Sequence, residues 1–320
     1  MSARRIAFLT NEYAEDHRSS GGLASYVRRM TRALVELGQG VEVFALADES
    51  RSEISGEGVR LNLCARRQPG EPDPGERARL DPRRWLSGTM LREARVLARA
   101  LETRHEEEPF DLVHATNCAA TGLFVENRPT RRHLVRMSSM REIWLGSDGV
   151  ELGWDVRLAC RLERRSVRRA DVVIAPSAWL VKRLKSEWGV DARVVRPPAL
   201  LEAEAGARPG VLPERYLVHF GQLGPRKGSD LIVDALRIAS REEPALRVLW
   251  LGSESRAGFL EEMQSRLGDA KECLSVLEPR PKAELYAIVR GARASLVPSR
   301  ADNLPNSAIE SLLLGTPLIA

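Results

Sequence analysis

Two carboxylates, Asp302 and Glu310, stand near the end of this 320-residue chain with seven residues between them. The surrounding pattern predicts a loop at Asp302 and a helix that carries Glu310 about two turns after its start. Carboxylates in such positions can point into a cleft and accept hydrogen bonds from sugar hydroxyls. A helix cap requires only one acid or amide, so the pair favours a binding role. The simpler alternative is a cap at Asp302 or Asn303 with Glu310 on the surface.

A glycine-rich turn at 220–228, with the sequence FGQLGPRKG, follows an apolar strand pattern and precedes a helical one. Open α/β sheets bind ligands at the carboxyl ends of their strands, where such turns lie. Arg226 and Lys227 add positive charge beside the helix N-terminus, which suits a diphosphate. The turn is neither GxGxxG nor a P-loop, which argues against nicotinamide cofactors and ATP hydrolysis. Taken alone, an ordinary βα turn with a solvated Arg-Lys pair explains it equally well.

Short apolar runs alternate with longer helical patterns in both halves of the chain, which predicts βα units and parallel sheets. In the first half we predict strands at 6–10, 41–45, 59–63, 112–115, 134–137, 172–175 and 193–195, and helices at 23–37, 92–104, 154–168 and 178–188. In the second half we predict strands at 216–220, 247–251, 274–277, 294–297 and 318–320, and helices at 230–240, 259–267, 282–290 and 307–314. The expected architecture is two doubly wound Rossmann-like domains, at 1–198 and 214–320. A Gly-, Pro- and Ala-rich linker at 199–213 joins them, and 70–75 is a loop within the first.

Composition argues against several classes of protein. A hydrophobic content of 43% supports globular domains, and no apolar run reaches the ~18 residues of a membrane-spanning helix. The apolar run after the basic N-terminus is too short for a secretory signal. Aromatic residues make up only 5% of the chain and no nucleic-acid-binding motif is present, so no nucleic acid partner is expected. The chain has four widely spaced cysteines, Cys64, Cys118, Cys160 and Cys273, and no CxxC pair. Neither a zinc site nor a disulfide framework is therefore expected, which favours a cytoplasmic location.

Arginine is dense at 161–169, where the sequence is RLERRSVRR, and the whole chain has a net charge of +5. A solvated helix face explains this run. A surface that contacts anionic lipid at the inner membrane face, or an anionic acceptor, explains it as well. Both interpretations stay open at this stage.

Several further motifs accompany the turn and the acids. Gly21 and Gly22 precede a helix, Asp-Leu-Val-His ends at His114, and Ala-Asp-Val-Val-Ile-Ala-Pro-Ser occupies 170–177. Pro-Ser at 298–299 and Gly-Thr-Pro-Leu-Ile-Ala at 315–320 flank the two acids. In this order the motifs resemble the retaining GT-B glycosyltransferases of family four. Asp-Asn-Leu-Pro-Asn at 302–306 is similar to a recurrent form of that family's pattern of two acids seven residues apart.

The resemblance implies two domains facing across a cleft and a metal-independent transfer that needs no cofactor. A sugar would pass from a nucleoside-diphosphate sugar to a glycan or lipid-linked acceptor, typically in polysaccharide or glycolipid biosynthesis. By the same resemblance Lys227 neutralises the donor diphosphate, Asp302 binds hydroxyls of the transferred sugar, and both act in catalysis. Glu310 binds the ribose hydroxyls. The remaining donor-binding positions are Gly221, Gln222, Arg226, Asn303, Leu304 and Asn306.

Some positions depart from the family pattern. Gln222 replaces the usual arginine, so phosphate binding relies more on Lys227 and Arg226. Pro305 has no N–H, which leaves the amides of Leu304 and Asn306 to approach the phosphates.

On the acceptor side, Gly21 and Gly22 let the backbone come close to the reacting sugar. His114 and Ser138 are the other expected cleft residues, and Ser138 stands where many members have histidine. Shortly after His114, where the family has a second histidine, this chain likewise has a different residue, Asn117. Because His114 lies on an apolar strand, a structural role suits it better than a catalytic one.

Two other functions stay open. One is a GT-B epimerase or phosphorylase that acts on nucleotide sugars, and the other is a degenerate, non-catalytic module that binds nucleotide sugars or glycans. The resemblance also implies further βα units and a final helix after Ala320. We therefore expect the second domain to be incomplete and the chain to be part of a longer protein.

Overall fold

The computed structural model describes residues 3–13, 22–66, 85–207, 209–210 and 212–320. Contacts between residues divide the chain into two compact units. The first contains the described parts of Met1–Glu15 and Ser20–Glu142, together with Leu152–Pro198, and the second contains Ile143–Glu151 and Ala199–Ala320. Gly21 and the predicted loop at 70–75 lie outside the described residues.

The first unit is built on an eight-stranded sheet in the order β3-β4-β2-β1-β5-β6-β7-β8. Its strands are β1 (Arg5–Thr10), β2 (Gly40–Ala47), β3 (Arg51–Ile54), β4 (Arg60–Ala65), β5 (Leu112–Thr116), β6 (Arg132–Arg136), β7 (Val172–Ala175) and β8 (Arg193–Val194). All neighbouring strands are parallel except β3, which runs antiparallel to β4 at the edge. The strand β3 was not predicted, because all four of its residues are exposed and show no apolar alternation.

Helices α1 (Gly22–Glu36), α2 (Leu86–Glu107), α3 (Arg141–Ser147), α4 (Trp154–Arg168) and α5 (Ala178–Arg183) connect these strands, and a π-helical turn at Leu184–Trp188 continues α5. The predicted helix at 92–104 begins too late. The Asp155 carboxylate, in the first turn of α4, accepts hydrogen bonds from the amides of Leu86 and Ser87 at 2.7 and 3.0 Å. Because this cap comes from another helix, no local signal in the sequence marks where α2 begins.

The second unit has a five-stranded, wholly parallel sheet in the order β11-β10-β9-β12-β13. Its strands are β9 (Leu217–Phe220), β10 (Val248–Leu251), β11 (Leu274–Leu277), β12 (Ala294–Leu296) and β13 (Leu318–Ile319). Its helices are α6 (Ser229–Glu242), α7 (Phe259–Leu267), α8 (Lys282–Gly291) and α9 (Asn306–Leu313). The expected α/β class with two doubly wound sheets is confirmed. No helix in the described residues is both long and apolar enough to cross a bilayer.

Strand β9 is the point where the order of the second sheet reverses. It pairs with β10 on one side and with β12 on the other. In open α/β sheets the connections on the two sides of such a point leave a crevice at the carboxyl ends of the strands. That edge carries both the turn after β9 and the acidic segment after β12.

Candidate active site

Glycines bring the two loops of this crevice into contact. Gly228 has φ +71°, and a Cβ placed there would lie 2.0 Å from the carbonyl oxygen of Pro298. Gly252, just after β10, has φ +143°, and a Cβ there would lie 1.8 Å from the carbonyl oxygen of Gly221. Any larger residue would push the turn away from its neighbours. The glycine spacing thus sets the position of the turn against both adjacent strands.

A buried hydrogen-bond relay fixes the same turn from below. The Nδ1–H of His219, on β9, donates to the carbonyl of Leu296 at 2.8 Å, which leaves Nε2 to accept from the Ser229 hydroxyl at 3.0 Å. The Ser229 oxygen in turn accepts the Gly224 amide at 2.9 Å. Burial lowers the pKa of His219 to about 4, so the ring is neutral, as this relay requires. Sequence reasoning missed the relay, and its one visible signal is a histidine inside an apolar strand.

The structure brings Lys227 and Asp302 together. They are 75 residues apart in sequence and form an ion pair in which each side chain is about one-fifth exposed. Lys227 ends the short 3₁₀ turn Pro225–Lys227, and Asp302 follows β12 in the neighbouring loop. A cation and a carboxylate therefore face each other at the mouth of the crevice, where a ligand carrying both phosphate and hydroxyl groups could engage each of them.

Arg300 joins the two loops further. Its side chain donates to the carbonyl of Pro225 at 2.6 Å and to both carboxylate oxygens of Asp230 at 2.6 and 2.8 Å, and its amide donates to the carbonyl of Arg226. Burial raises the pKa of Asp230, but the hydrogen bonds and charge of Arg300, together with the amides of Asp230 and Leu231, outweigh that effect and leave the pKa lowered. The sequence analysis did not single out Arg300, although a basic residue between Ser299 and Asp302 was visible.

Gln222 and Arg226 are in direct contact. The Gln222 side-chain oxygen accepts from Nη2 of Arg226 at 2.7 Å. Asp148, which belongs to the second unit, accepts the Arg226 amide at 3.1 Å, and its Oδ2 lies 3.5 Å from Nε. Gln222 thus orients the cation that follows it by four residues.

Glu310 lies four residues after the start of α9 at Asn306, which is about one turn into the helix and not the two turns predicted. The residue is 3% exposed. Its Oε1 accepts from Nζ of Lys282 at 2.9 Å and from the hydroxyl of Tyr286 at 3.3 Å. Sequence reasoning missed both partners, although Lys282 and Tyr286 share one face of α8 at i, i+4 spacing.

Asn303 and Leu304 precede the residue that caps α9, Pro305, and Asn306 begins the helix. Their amides therefore lie at the positive end of the helix dipole, as an anion-binding role requires.

In the first unit, His114 is a packed side chain. It is 5% exposed, its ring stacks on Phe8 with the centroids 4.4 Å apart, and Nε2 lies 3.3 Å from the hydroxyl of Tyr26. Burial, with a smaller effect from Arg136, lowers the pKa of His114 to about 3. A neutral imidazole that stacks on Phe8 and contacts Tyr26 at Nε2 suits the structural role.

Ser138 follows β6 and contacts both Arg136 and Asn117. Its hydroxyl accepts from Nη1 of Arg136 at 2.5 Å, and its amide donates to the side-chain oxygen of Asn117 at 2.7 Å. Asn117 also donates to the carbonyl of Ser139 at 2.9 Å. The two positions where the family resemblance expects histidines are thus linked to each other. Gly22 is exposed at the start of α1, in the same unit.

Two doubly wound domains with parallel sheets are the architecture of the GT-B glycosyltransferase fold. Residues 21–199 match the family model of the glycosyl transferase 4-like domain, and residues 214–320 match that of the glycosyl transferases group 1. The chain therefore belongs to the glycosyl transferase 4-like family, whose model matches more than half of it, and a group 1 domain follows. The glycosyltransferase family expected from its motifs is confirmed.

Named relatives agree with this assignment. The chain is 27% identical to the D-inositol 3-phosphate glycosyltransferase of Geodermatophilus obscurus over 325 residues, which are 94% of this chain and 70% of the relative. It is 32% identical to that of Segniliparus rotundus over 138 residues, which are 41% of this chain and 30% of the relative. That second match thus spans less than a third of the relative's length.

Solved structures show the same fold. Sucrose-phosphate synthase from Thermosynechococcus elongatus superposes with a TM-score of 0.75 at 18% identity, covering 99% of this chain and 81% of that one. The trehalose 6-phosphate synthase of Burkholderia multivorans gives a TM-score of 0.66 at 16% identity, covering 100% and 83%. At this level of identity the likeness extends to the fold alone.

Proposed function

We propose that this chain is a retaining, metal-independent glycosyltransferase that moves a sugar from a nucleoside-diphosphate sugar to a glycan, sugar or lipid-linked acceptor. The observation that carries the proposal is the Lys227–Asp302 pair at the switch point of the second sheet. A cation suited to phosphate and a carboxylate suited to sugar hydroxyls stand side by side there, which supports a donor that carries both groups.

Each residue then has a distinct part in the reaction. Lys227 and Arg226 stabilise the charge that develops on the departing diphosphate, in the place of a divalent metal. Asp302 accepts hydrogen bonds from the transferred sugar and so holds it in position. The departing phosphate helps to deprotonate the acceptor, which attacks from the same face, as the family resemblance implies.

Glu310 would bind the ribose. Both of its described hydrogen bonds fall on Oε1, from Lys282 and from Tyr286. They hold the carboxylate in one orientation with Oε2 as the acceptor for ribose hydroxyls. The amides of Leu304 and Asn306 would approach the diphosphate at the start of α9.

Peripheral contact with an anionic membrane is a separate part of the proposal. The two acids of α4 are engaged elsewhere, since Asp155 caps α2 and Glu163 bonds Arg141 at 2.6 Å. What supports the contact is a row of exposed arginines without an ion pair among the described residues, namely Arg161, Arg165, Arg168 and Arg169. Four positive charges on one helix face would attract an anionic lipid surface.

Calorimetric titration with UDP, GDP and ADP tests the donor site. We expect one of them to bind, and Lys227→Ala to weaken that binding at least tenfold, or by about 1.4 kcal/mol. Lys271→Ala, at an exposed lysine of the same unit, is the matched control and should bind as the parent does.

Part of the Lys227→Ala loss would come from the Asp302 carboxylate, which would then face the diphosphate without its cation. The double variant with Asp302→Asn separates this repulsion from the lost attraction. If no nucleoside diphosphate binds, the chain is better described as a glycan-binding module. If Lys227→Ala binds like the parent, Lys227 is not part of the site.

A further inference from the structure

Asp148 is an acid of the second unit to which the proposed reaction gives no part. It lies in the segment Ile143–Glu151, and its Oδ1 accepts a hydrogen bond from the Arg226 amide at 3.1 Å. Its Oδ2 stands 3.5 Å from Nε of the same residue, and both side chains are about one-fifth exposed. Arg226 is one of the two cations that would bind the donor diphosphate. An acid of the protein therefore competes with the diphosphate for one of the groups that would bind it.

The local structure gives no reason for a negative charge at this position. The last turn of helix α3 closes through the Val150 amide, which donates to the carbonyl of Leu145 at 2.9 Å. Gly149 supplies the left-handed backbone that this closure requires, with φ +73°. Asp148 thus stands at the negative end of the helix dipole, where an acid is unfavourable. Its contact with Arg226 offsets that disadvantage and points to a role outside the helix.

Each of the two cations is matched by an acid. Lys227 forms its ion pair with Asp302. Arg226 is paired in the same way with Asp148. Asp302 has a second role in the proposed reaction, because it would accept hydrogen bonds from the transferred sugar. Asp148 has no such role, yet a diphosphate bound to both cations would bring negative charge close to its carboxylate. Because like charges repel, Asp148 would lower the affinity of the site for a diphosphate.

The pair between Arg226 and Asp148 is loose enough for a ligand to replace it. Nε of Arg226 is buried, yet it has no hydrogen-bond acceptor among the residues that the structure describes. The guanidinium donates instead through Nη2 to the Gln222 side chain at 2.7 Å. The carboxylate is thus bound by the Arg226 amide and attracted by the guanidinium. A diphosphate can separate the two charges without first breaking a hydrogen bond at Nε.

We propose that Asp148 is a further residue of the donor site, which holds Arg226 in place and opposes the bound diphosphate. By keeping the affinity for the nucleoside diphosphate low, it favours the release of that product after the sugar has been transferred. Product release sets the turnover rate of many enzymes, so an opposing charge of this kind serves the reaction. That the bound diphosphate belongs to a nucleotide rests on the proposed function, whereas the opposition of Asp148 to a diphosphate does not.

The test is calorimetric titration of the parent chain and Asp148→Asn with UDP, GDP and ADP, with their monophosphates and nucleosides, and with inorganic pyrophosphate. The substitution keeps an oxygen for the Arg226 amide but removes the charge. We expect the nucleoside diphosphate that binds the parent to bind this variant about fivefold more tightly, which is the scale of removing one like charge from about 4 Å in water. The gain should be smaller for the monophosphate, absent for the nucleoside and reduced by added salt.

Glu151→Gln is the matched control, because Glu151 is an exposed acid of the same segment and the change in net charge is identical. This variant should bind every ligand as the parent does. Unchanged or weaker diphosphate binding by Asp148→Asn would overturn the proposal. An equal gain for the nucleoside, or in Glu151→Gln, would overturn it as well, because the effect would then not come from the charge at position 148.

Pyrophosphate separates this proposal from the proposed function. If Asp148→Asn tightens pyrophosphate binding while no nucleoside diphosphate binds, the nucleotide-sugar donor is wrong and the role of Asp148 stands. If a nucleoside diphosphate binds and Asp148→Asn leaves its affinity unchanged, the donor site stands and the role of Asp148 is refuted. If neither pyrophosphate nor a nucleoside diphosphate binds to either chain, both are refuted.

Discussion

Replacing Ser229 by alanine should destabilise the second unit strongly. The hydroxyl is fully buried and serves two partners, since it accepts from the Gly224 amide and donates to Nε2 of His219. Its removal leaves both partners without a hydrogen bond away from water. An unsatisfied buried group costs about 1–3 kcal/mol, so the expected loss for the two groups is about 2–6 kcal/mol. That is a large fraction of the ~5–15 kcal/mol that stabilises a typical domain.

The assay is urea denaturation followed by circular dichroism, with the free energy of unfolding taken from the midpoint at constant m-value. Ser240→Ala, on the same helix α6, is the control, and should lie within about 0.5 kcal/mol of the parent. The Gly224 amide should also lose protection against hydrogen exchange in Ser229→Ala. A loss below about 0.5 kcal/mol with an unchanged m-value would refute the relay as a structural element of the turn.

Three further outcomes are expected. Burial lowers the pKa of His219 from 6.5 to about 4, so the unfolded chain binds more protons between these values. Stability should then fall as pH drops from 6.5 to 4, by about 3 kcal/mol for His219 alone, as urea midpoints would measure. Transferase turnover should persist in excess EDTA, and loss of activity restored by Mn²⁺ would contradict the metal-independent mechanism. Binding to anionic vesicles in sedimentation should fall about a hundredfold when glutamine replaces Arg161, Arg165 and Arg169. The same change in net charge should have little effect when made at exposed Arg237, Arg241 and Arg290.

The fold was largely predictable because the signals were local. Strand β9 reads as an apolar run bounded by glycine, and helix α6 follows it with apolar residues at helical spacing. Where the prediction was wrong, the structure-forming group came from elsewhere in the chain. The start of α2 depends on the Asp155 carboxylate of α4, and the exposed strand β3 depends on pairing with β4.

The candidate site was predictable in its residue types but not in its contacts. Lys227, Asp302 and Glu310 stand out by charge and spacing within loops and helix starts. Their immediate partners do not, because packing brings them together from separate elements. Lys282 reaches Glu310 from α8, and Arg300 reaches Asp230 across the crevice. Such pairs have ordinary residue types and leave no pattern along the sequence.

Gln222 shows how a departure from a family pattern can be read once its contacts are known. Taken as a sequence change, the loss of an arginine at this position removes one positive charge from the donor site. In the folded unit the Gln222 side chain accepts a hydrogen bond from Arg226, which an arginine at 222 could not do, because it has no acceptor and would repel its neighbour. The substitution therefore moves the second cation four residues along the turn. Under the proposed function, the site keeps two cations for the diphosphate, and the Gln222–Arg226 hydrogen bond determines where the second one stands.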